Sequence, residues 1–195
     1  MDYKICKNGI FKSIQGEGTN TGKSAVFIRF AGCNMNPRCA FCDEKFDEYD
    51  VMSEQDILDR INEMIPVKMI VITGGEPTMN DLKPLVDLLK SNGFYIGIET
   101  NGSNEIHCNV DWITCSPKNE QVNIKYADEL KFVVDKAPEE IEEFIVKVKN
   151  KIKCNKIFLQ PKSNCKDMIE NCLNMIYKDC DYELSVQLHK FLNIK

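Results

Sequence analysis

Two histidines and three arginines are all that this chain of 195 residues holds of either type, against twenty-two lysines and ten cysteines. It also lacks any run of about 18 to 20 consecutive apolar residues, which excludes a membrane-spanning helix. The start, MDYKICKNGIF, has neither the basic opening nor the long apolar stretch of a secretory signal. Low-complexity tracts, a fixed-period repeat and a long linker are likewise missing. An excess of positive charge is absent too: 25 basic residues face 30 acidic ones, a net charge of -5. That argues against a nucleic-acid-binding surface, which needs a basic footprint. A soluble cytoplasmic protein acting on small molecules, with no nucleic acid and no membrane among its partners, is the expectation. The length suits one well-packed domain spanning residues 1–195.

What is present is an alternation of short apolar runs with amphipathic stretches. SAVFIRFAG (24–32), KMIVIT (68–73), FYIGIET (94–100), VDWITCS (110–116), ELKFVVD (129–135), KIFLQ (156–160) and ELSVQLH (183–189) read as strands. Helices are predicted over 53–65, 79–93, 138–152 and 165–177. Ser53 and Asp56 have capping-box spacing at the start of the first, and Gly93 closes the second. Strands alternating with helices give an α/β fold with a mainly parallel sheet. Six or seven strands suggest an incomplete TIM-like barrel, with an open doubly wound sheet as the alternative. In either, chemistry gathers at the carboxyl ends of the strands. Polar motifs stand there in series: GCNMNPRC, TGGEPT, ETNGS, SPK and QPKSN.

Cys33, Cys39 and Cys42 lie within ten positions of one another, whereas the other seven cysteines are scattered through predicted strands and helices, and most of those read as buried apolar thiols. In a reducing compartment a cluster of this kind implies metal or redox work. Zinc would want a fourth Cys or His nearby, and none is offered. Three thiolates can instead hold three irons of a 4Fe-4S cluster and leave the fourth open to an exogenous ligand. Arg29 is informative by itself. A guanidinium amid the apolar residues of AVFIRFAG needs an anionic partner, and its fork suits a carboxylate.

The three-cysteine loop after the first core strand, Phe41 before its last cysteine, and GGEP at 74–77 resemble the radical S-adenosylmethionine superfamily. Within it, FKSIQGEGTNTGKSAVFIRFAGCN, TGGEPT, ETNGS, SPK, ELKFVV and QLHKFLNIK are similar to the 7-carboxy-7-deazaguanine synthases. These motifs run in order from residue 11 to the end. The spacing departs from the superfamily's CxxxCxxC: two further residues, Pro37 and Arg38, stand between Cys33 and Cys39 and are expected to bulge outward.

The resemblance implies a radical lyase that converts 6-carboxy-5,6,7,8-tetrahydropterin to 7-carboxy-7-deazaguanine with loss of ammonia, toward queuosine-type deazapurines. It implies a homodimer served by an electron donor such as flavodoxin or ferredoxin. It implies a 4Fe-4S cluster on Cys33, Cys39 and Cys42, and S-adenosylmethionine held by Phe41, Cys42, Asp43, Gly75, Glu76, Ser116, Pro117, Lys118, Gln160, Pro161, Lys162 and Ser163. The substrate falls to Ile14, Gln15, Gly16, Glu17, Arg29, Thr73, His189 and the terminal carboxylate of Lys195. Where the family has Asp then Thr or Ser after the last cysteine, this chain has Asp43 and Glu44, so Glu44 is expected to take over as ligand of Mg2+. A radical activase acting on a protein partner is the alternative reading. It would share the cluster loop but lack SIQGEG and the QLHKFLNIK ending.

Overall fold

The computed structural model describes residues 1–42, 44 and 48–194, organised as two compact units. The first comprises residues 1–14, 23–100 and 104–112, and the second residues 15–22, 101–103 and 113–195.

In the first unit the strands β1 (Asp2–Ile14), β2 (Ser24–Phe30), β3 (Tyr49–Ser53), β4 (Met69–Gly74) and β5 (Tyr95–Thr100) lie in the order β3-β1-β2-β4-β5. The parallel core expected from the sequence is present, since β2 pairs β4 and β4 pairs β5 in parallel. On the other side β1 pairs antiparallel with β2 and with β3. Residues 2–14 and 49–53 were not expected as strands. Their polar and apolar residues alternate incompletely, and hydrogen bonding to a neighbour settles what local pattern leaves open.

Strand alternation sorts β2 cleanly. Val26, Ile28 and Phe30 fall on one face, all fully buried beside Ile70 and Ile72 of β4, each such side chain contributing about 1.5–3 kcal/mol. Ala25, Phe27 and Arg29 fall on the other, opposite Met69, Val71 and Thr73. Phe11 stacks on Phe27 with centroids 5.2 Å apart, so Arg29 stands at the end of an apolar floor, 5.6 Å from the Phe11 ring centre. Helix α1 (Glu54–Asn62) opens with the expected capping box between Ser53 and Asp56, worth about 1 kcal/mol, and buries Ile57, Leu58 and Ile61. Helix α2 (Lys83–Ser91) begins later than the predicted residue 79. Residues 77–79 form a separate single turn capped by Glu76, and Pro84 sits in the first turn of α2, where its missing N–H costs nothing.

In the second unit β6 (Trp112–Cys115), β7 (Tyr126–Val134), β8 (Lys153–Pro161) and β9 (Tyr182–Leu184) follow one another in parallel, with α3 (Pro138–Lys149) and α4 (Lys166–Lys178) between them in sequence. Along β7, Leu130, Phe132 and Val134 are fully buried, and Phe132 meets Phe144 of α3 edge to face. Glu129 and Lys131 point to the opposite face and are buried as well. The strand predicted over 183–189 is corrected: only residues 182–184 pair with β8, and the chain then turns into the short helix α5 (Leu188–Leu192). The reason lies in partners more than twenty residues earlier in the chain. After a last backbone bond from Ser185 N–H to the Leu159 carbonyl, the Ser185 hydroxyl donates to Gln160, and Gln187 is held in both backbone directions by the Asn164 side chain, which takes it out of strand register. Among the described residues no helix is long and apolar enough to cross a membrane.

Candidate active site

The carboxyl ends of β2 and β4 assemble the site of the first unit. After Phe30 the chain leaves the sheet through Ala31 and Gly32 to Cys33, while β4 ends at Gly74 and continues into Gly75-Glu76-Pro77. Two backbone bonds join these loops: Gly75 N–H to the Phe30 carbonyl at 3.0 Å and Glu76 N–H to the Gly32 carbonyl at 2.9 Å. The approach is close enough to require glycine. A Cβ on Gly75 would collide with the Gly32 carbonyl and come within 3.1 Å of the Cys33 Cβ. The GGEP turn is therefore a backbone surface laid against the cysteine loop.

Cys33, Cys39 and Cys42 form no disulfide and are each partly exposed, and the Cys42 N–H bonds the Cys39 carbonyl at 3.0 Å in a tight turn. Of the other seven, expected to be mostly buried, only Cys6, Cys115 and Cys172 are; Cys108 and Cys154 are half-buried, and Cys165 and Cys180, near the two ends of α4, are exposed. Burial pushes the Cys172 thiol up to about 12 and that of half-buried Cys108 up to about 11. Soft, accessible thiols on one loop fit three irons of a cluster, and the inert buried ones do not compete. Pro37 and Arg38 are exposed, as an outward bulge requires, and Arg38 Nη2 donates to the Cys42 sulfur at 3.3 Å.

Arg29 and Thr73 are register partners across β2 and β4, so the two residues expected at the substrate carboxylate do stand side by side. The Arg29 guanidinium forms an ion pair with the carboxylate of Glu44, the residue expected at Mg2+. Glu76 is 1 % exposed. Its Oε1 accepts from the Thr78 N–H at 3.1 Å, the Thr78 hydroxyl at 2.6 Å and the Thr100 hydroxyl at 2.7 Å, so it braces β4 to β5. Phe41 is half-buried on the cysteine loop. Asp43 and Lys195 lie outside the described residues, and Ile14 ends β1.

The second unit gathers Gln15, Gly16, Glu17 and His189. Gly16 lies against His189 so closely that a Cβ would strike the imidazole, and its carbonyl accepts from the Leu188 N–H at 2.9 Å. Gln15 is buried and its Oε1 takes the Glu17 N–H at 3.1 Å. The Glu17 carboxylate meets Lys131 Nζ in an ion pair through Oε2 and accepts from Gln187 Nε2 at 2.9 Å through Oε1. Burial alone would raise its pKa. The Lys131 ammonium overrides that by charge and hydrogen bond, with Gln187 and nearby His189 adding to it, and holds the carboxyl well below its ordinary range. Of the strand-end motifs, Lys118 donates to the Ser116 hydroxyl at 2.7 Å beside a buried Pro117. Gln160 and Pro161 are buried, and Lys162, Ser163 and Asn164 form a turn with Ser163 and Asn164 left-handed.

Sequence reasoning gave no role to Glu129, Lys131, Ser185 or Gln187. The signal for the first two was available: charged residues two apart in an apolar strand share one face, the same argument that drew attention to Arg29.

The family model described as the radical SAM superfamily matches residues 27–172, which makes the chain a member of that class of iron-sulfur enzymes, carrying a 4Fe-4S cluster and binding S-adenosylmethionine. Relatives named 7-carboxy-7-deazaguanine synthase narrow it. That of Bacteroides thetaiotaomicron is 36% identical over 96% of this chain and 97% of its own length, and that of Aquifex aeolicus 38% identical over 100% and 96%. The crystal structure of QueE from Escherichia coli superposes with a TM-score of 0.81 at 31% identity, covering 97% of this chain and 95% of that one. The chain belongs to the 7-carboxy-7-deazaguanine synthase family, with the α/β partial-barrel fold of the radical SAM type.

Proposed function

We propose that the chain converts 6-carboxy-5,6,7,8-tetrahydropterin to 7-carboxy-7-deazaguanine with release of ammonia, in queuosine-type deazapurine biosynthesis. The observation that carries this reading is the placement of Arg29, beside Thr73 and four residues before Cys33: a carboxylate-reading fork at the edge of the cysteine loop. The cluster and S-adenosylmethionine, when bound, supply one-electron chemistry that takes a hydrogen atom from the substrate. The chain's own residues bind and orient. Cys33, Cys39 and Cys42 hold the iron, and the Gly75 backbone, laid against the cysteine loop, is assigned to S-adenosylmethionine. Arg29 engages the substrate carboxylate in two parallel hydrogen bonds, a geometry lysine would not reproduce. Gln15, Glu17 and His189 offer hydrogen-bonding groups to the polar edge of the pterin, joined in this assignment by Ile14, Gly16 and the terminal carboxylate of Lys195. Phe41, Cys42, Asp43, Glu76, residues 116–118 and residues 160–163 are assigned to S-adenosylmethionine. Glu44 offers a hard oxygen suited to Mg2+. The chain acts as one radical S-adenosylmethionine domain, residues 1–195, in a cytoplasmic homodimer, and reduction comes from a small electron-transfer protein of the flavodoxin or ferredoxin kind.

The test is anaerobic reconstitution followed by incubation with the pterin, S-adenosylmethionine, Mg2+ and a reductant. Formation of 7-carboxy-7-deazaguanine with an equal amount of ammonia supports the reading. A reconstituted cluster whose electron paramagnetic resonance signal responds to S-adenosylmethionine, but which leaves the pterin unchanged, would refute it in favour of another radical substrate.

A further inference from the structure

The loop of residues 15–19 is over-determined. Three successive backbone N–H groups each have a side-chain acceptor: Glu17 to Gln15 Oε1 at 3.1 Å, Gly18 to the Ser185 hydroxyl at 3.0 Å, and Thr19 to Glu129 Oε2 at 3.0 Å. Glu129 is fixed in turn by the Thr114 hydroxyl at 2.8 Å. The two oxygens of the Glu17 carboxylate are gripped from different elements, by Lys131 of β7 and by Gln187 before α5. Gln187 is itself locked to Asn164 through both of its backbone groups, at 2.9 Å each way.

As a stabilising device the Glu17–Lys131 pair is a poor choice. Removing two charges from water costs several kcal/mol per ion, and apolar residues of similar volume commonly do as well or better. Lys131 stands between Leu130 and Phe132, which are wholly buried, in a strand where an aliphatic side chain would pack readily. The Lys131 side chain is 4 % exposed and that of Glu17 is 13 % exposed, so the carboxylate is the member of the pair that a ligand can reach. A carboxylate has about four lone-pair sites, and among the described residues one donor meets each oxygen, which leaves one acceptor position on each. Two parallel acceptors match two adjacent donors. A 2-amino-4-oxopyrimidine ring presents that edge, its ring N–H beside its exocyclic amine. A 2,4-dioxo ring presents a carbonyl in place of the amine, which an ionised carboxylate repels.

We propose that Lys131 is a specificity-determining positioning residue: together with Gln187 it presents Glu17 as a fixed two-oxygen acceptor that selects 2-amino-4-oxo rings over 2,4-dioxo rings. Glu17 touches the ring, and Lys131 acts through it. The inference rests on the pterin reading above and deepens it.

The experiment compares equilibrium binding of 6-carboxypterin and 6-carboxylumazine, which share the carboxylate and differ at the 2-position, to the anaerobically reconstituted enzyme. The wild type should prefer 6-carboxypterin by about 10- to 100-fold, the range for a charged acceptor left without its donor. Lys131→Arg should keep that preference. Lys131→Met should bring the two affinities to within about threefold, since an uncompensated buried carboxyl takes up a proton and becomes a donor as well as an acceptor. Should that variant fail to fold, the neutral pair Glu17→Gln with Lys131→Gln, which keeps a hydrogen bond between the two positions, decides the matter with the same expected loss. A folded Lys131→Met or double variant that retains the wild-type preference overturns the assignment, as does a wild type that binds both rings equally. Failure of the wild type to bind either ring strikes instead at the pterin reading.

Discussion

Arg29 and Glu44 are partners: the guanidinium at the end of β2 and the carboxylate two residues beyond Cys42 form an ion pair. The pairing bears on both assignments at once, because a substrate carboxylate must displace Glu44 to reach the Arg29 fork, and the displaced Glu44 is then available to a cation. Partly exposed pairs of this kind are worth about 0.2–1 kcal/mol, so the competition is mild. Glu44→Ala is expected to lower the KM for the pterin by up to about fivefold, the equivalent of that energy, and to abolish stimulation by Mg2+. Glu44→Thr should lower KM similarly while keeping the stimulation. Anaerobic initial rates over a grid of substrate and Mg2+ concentrations measure both; an unchanged KM in both variants would show that Glu44 does not restrain Arg29.

Gly75 makes a second case. Its backbone is pinned between the Phe30 and Gly32 carbonyls, and a Cβ would meet backbone that cannot rotate away. Gly75→Ala should destabilise the fold by about 1–3 kcal/mol, the cost of overpacking a tight site. It should also lower the iron retained after reconstitution, because the displaced segment carries Cys33. Urea unfolding and iron assay on the same preparation check the two together, and full stability with full iron would contradict the close packing.

Much of this was legible in the sequence because period and punctuation are local. The alternation in SAVFIRF placed Arg29 on a strand, the Ser53–Asp56 spacing placed the start of α1, and the crowding of Cys33, Cys39 and Cys42 marked the loop. Other features depend on partners far along the chain. Gln187 leaves the predicted strand because Asn164 holds it, and Lys131 acquires meaning only when Glu17, 114 residues earlier, comes to lie against it. The resemblance assigns Glu76 of GGEP to S-adenosylmethionine, while the bonds from Thr78 and Thr100 give it a bracing role no spacing rule reveals. Arg38 is exposed, as the expected bulge requires, but no spacing rule reveals that its guanidinium finds the Cys42 sulfur as a partner.

The cysteines separate by environment. Cys33→Ala, Cys39→Ala and Cys42→Ala should each prevent recovery of a full cluster, while Cys172→Ala should keep full iron and lose about 1 kcal/mol of stability from the small apolar volume removed. In the metal-free protein at mildly alkaline pH, alkylation should mark the three loop cysteines and the exposed Cys165 and Cys180 while sparing Cys172, whose thiol burial has pushed up to about 12. Mass spectrometry of the labelled peptides reads the pattern. Rapid labelling of Cys172 in the folded protein would mean that α4 opens far more readily than its packing implies.

The Glu17–Lys131 pair also fixes a direction for acid sensitivity. In the unfolded chain Glu17 titrates at its ordinary value of 4.5, and in the folded chain the Lys131 ammonium holds it lower against the opposing effect of burial. A carboxyl with a depressed folded pKa contributes stability that is complete above the unfolded value and is lost as pH falls below it toward the folded one. Wild-type stability should therefore decline from about pH 5 to about pH 3 with a component that belongs to this residue. The double variant Glu17→Gln with Lys131→Gln removes the titrating group and its charged partner together, so no buried ion is left unpaired. Its urea midpoint should fall less steeply over the same interval, whatever its stability at neutral pH. Urea titrations at constant ionic strength across that range measure the two slopes. Equal slopes would mean that Glu17 titrates alike in the folded and unfolded chains, and that the ammonium of Lys131 does not hold its charge.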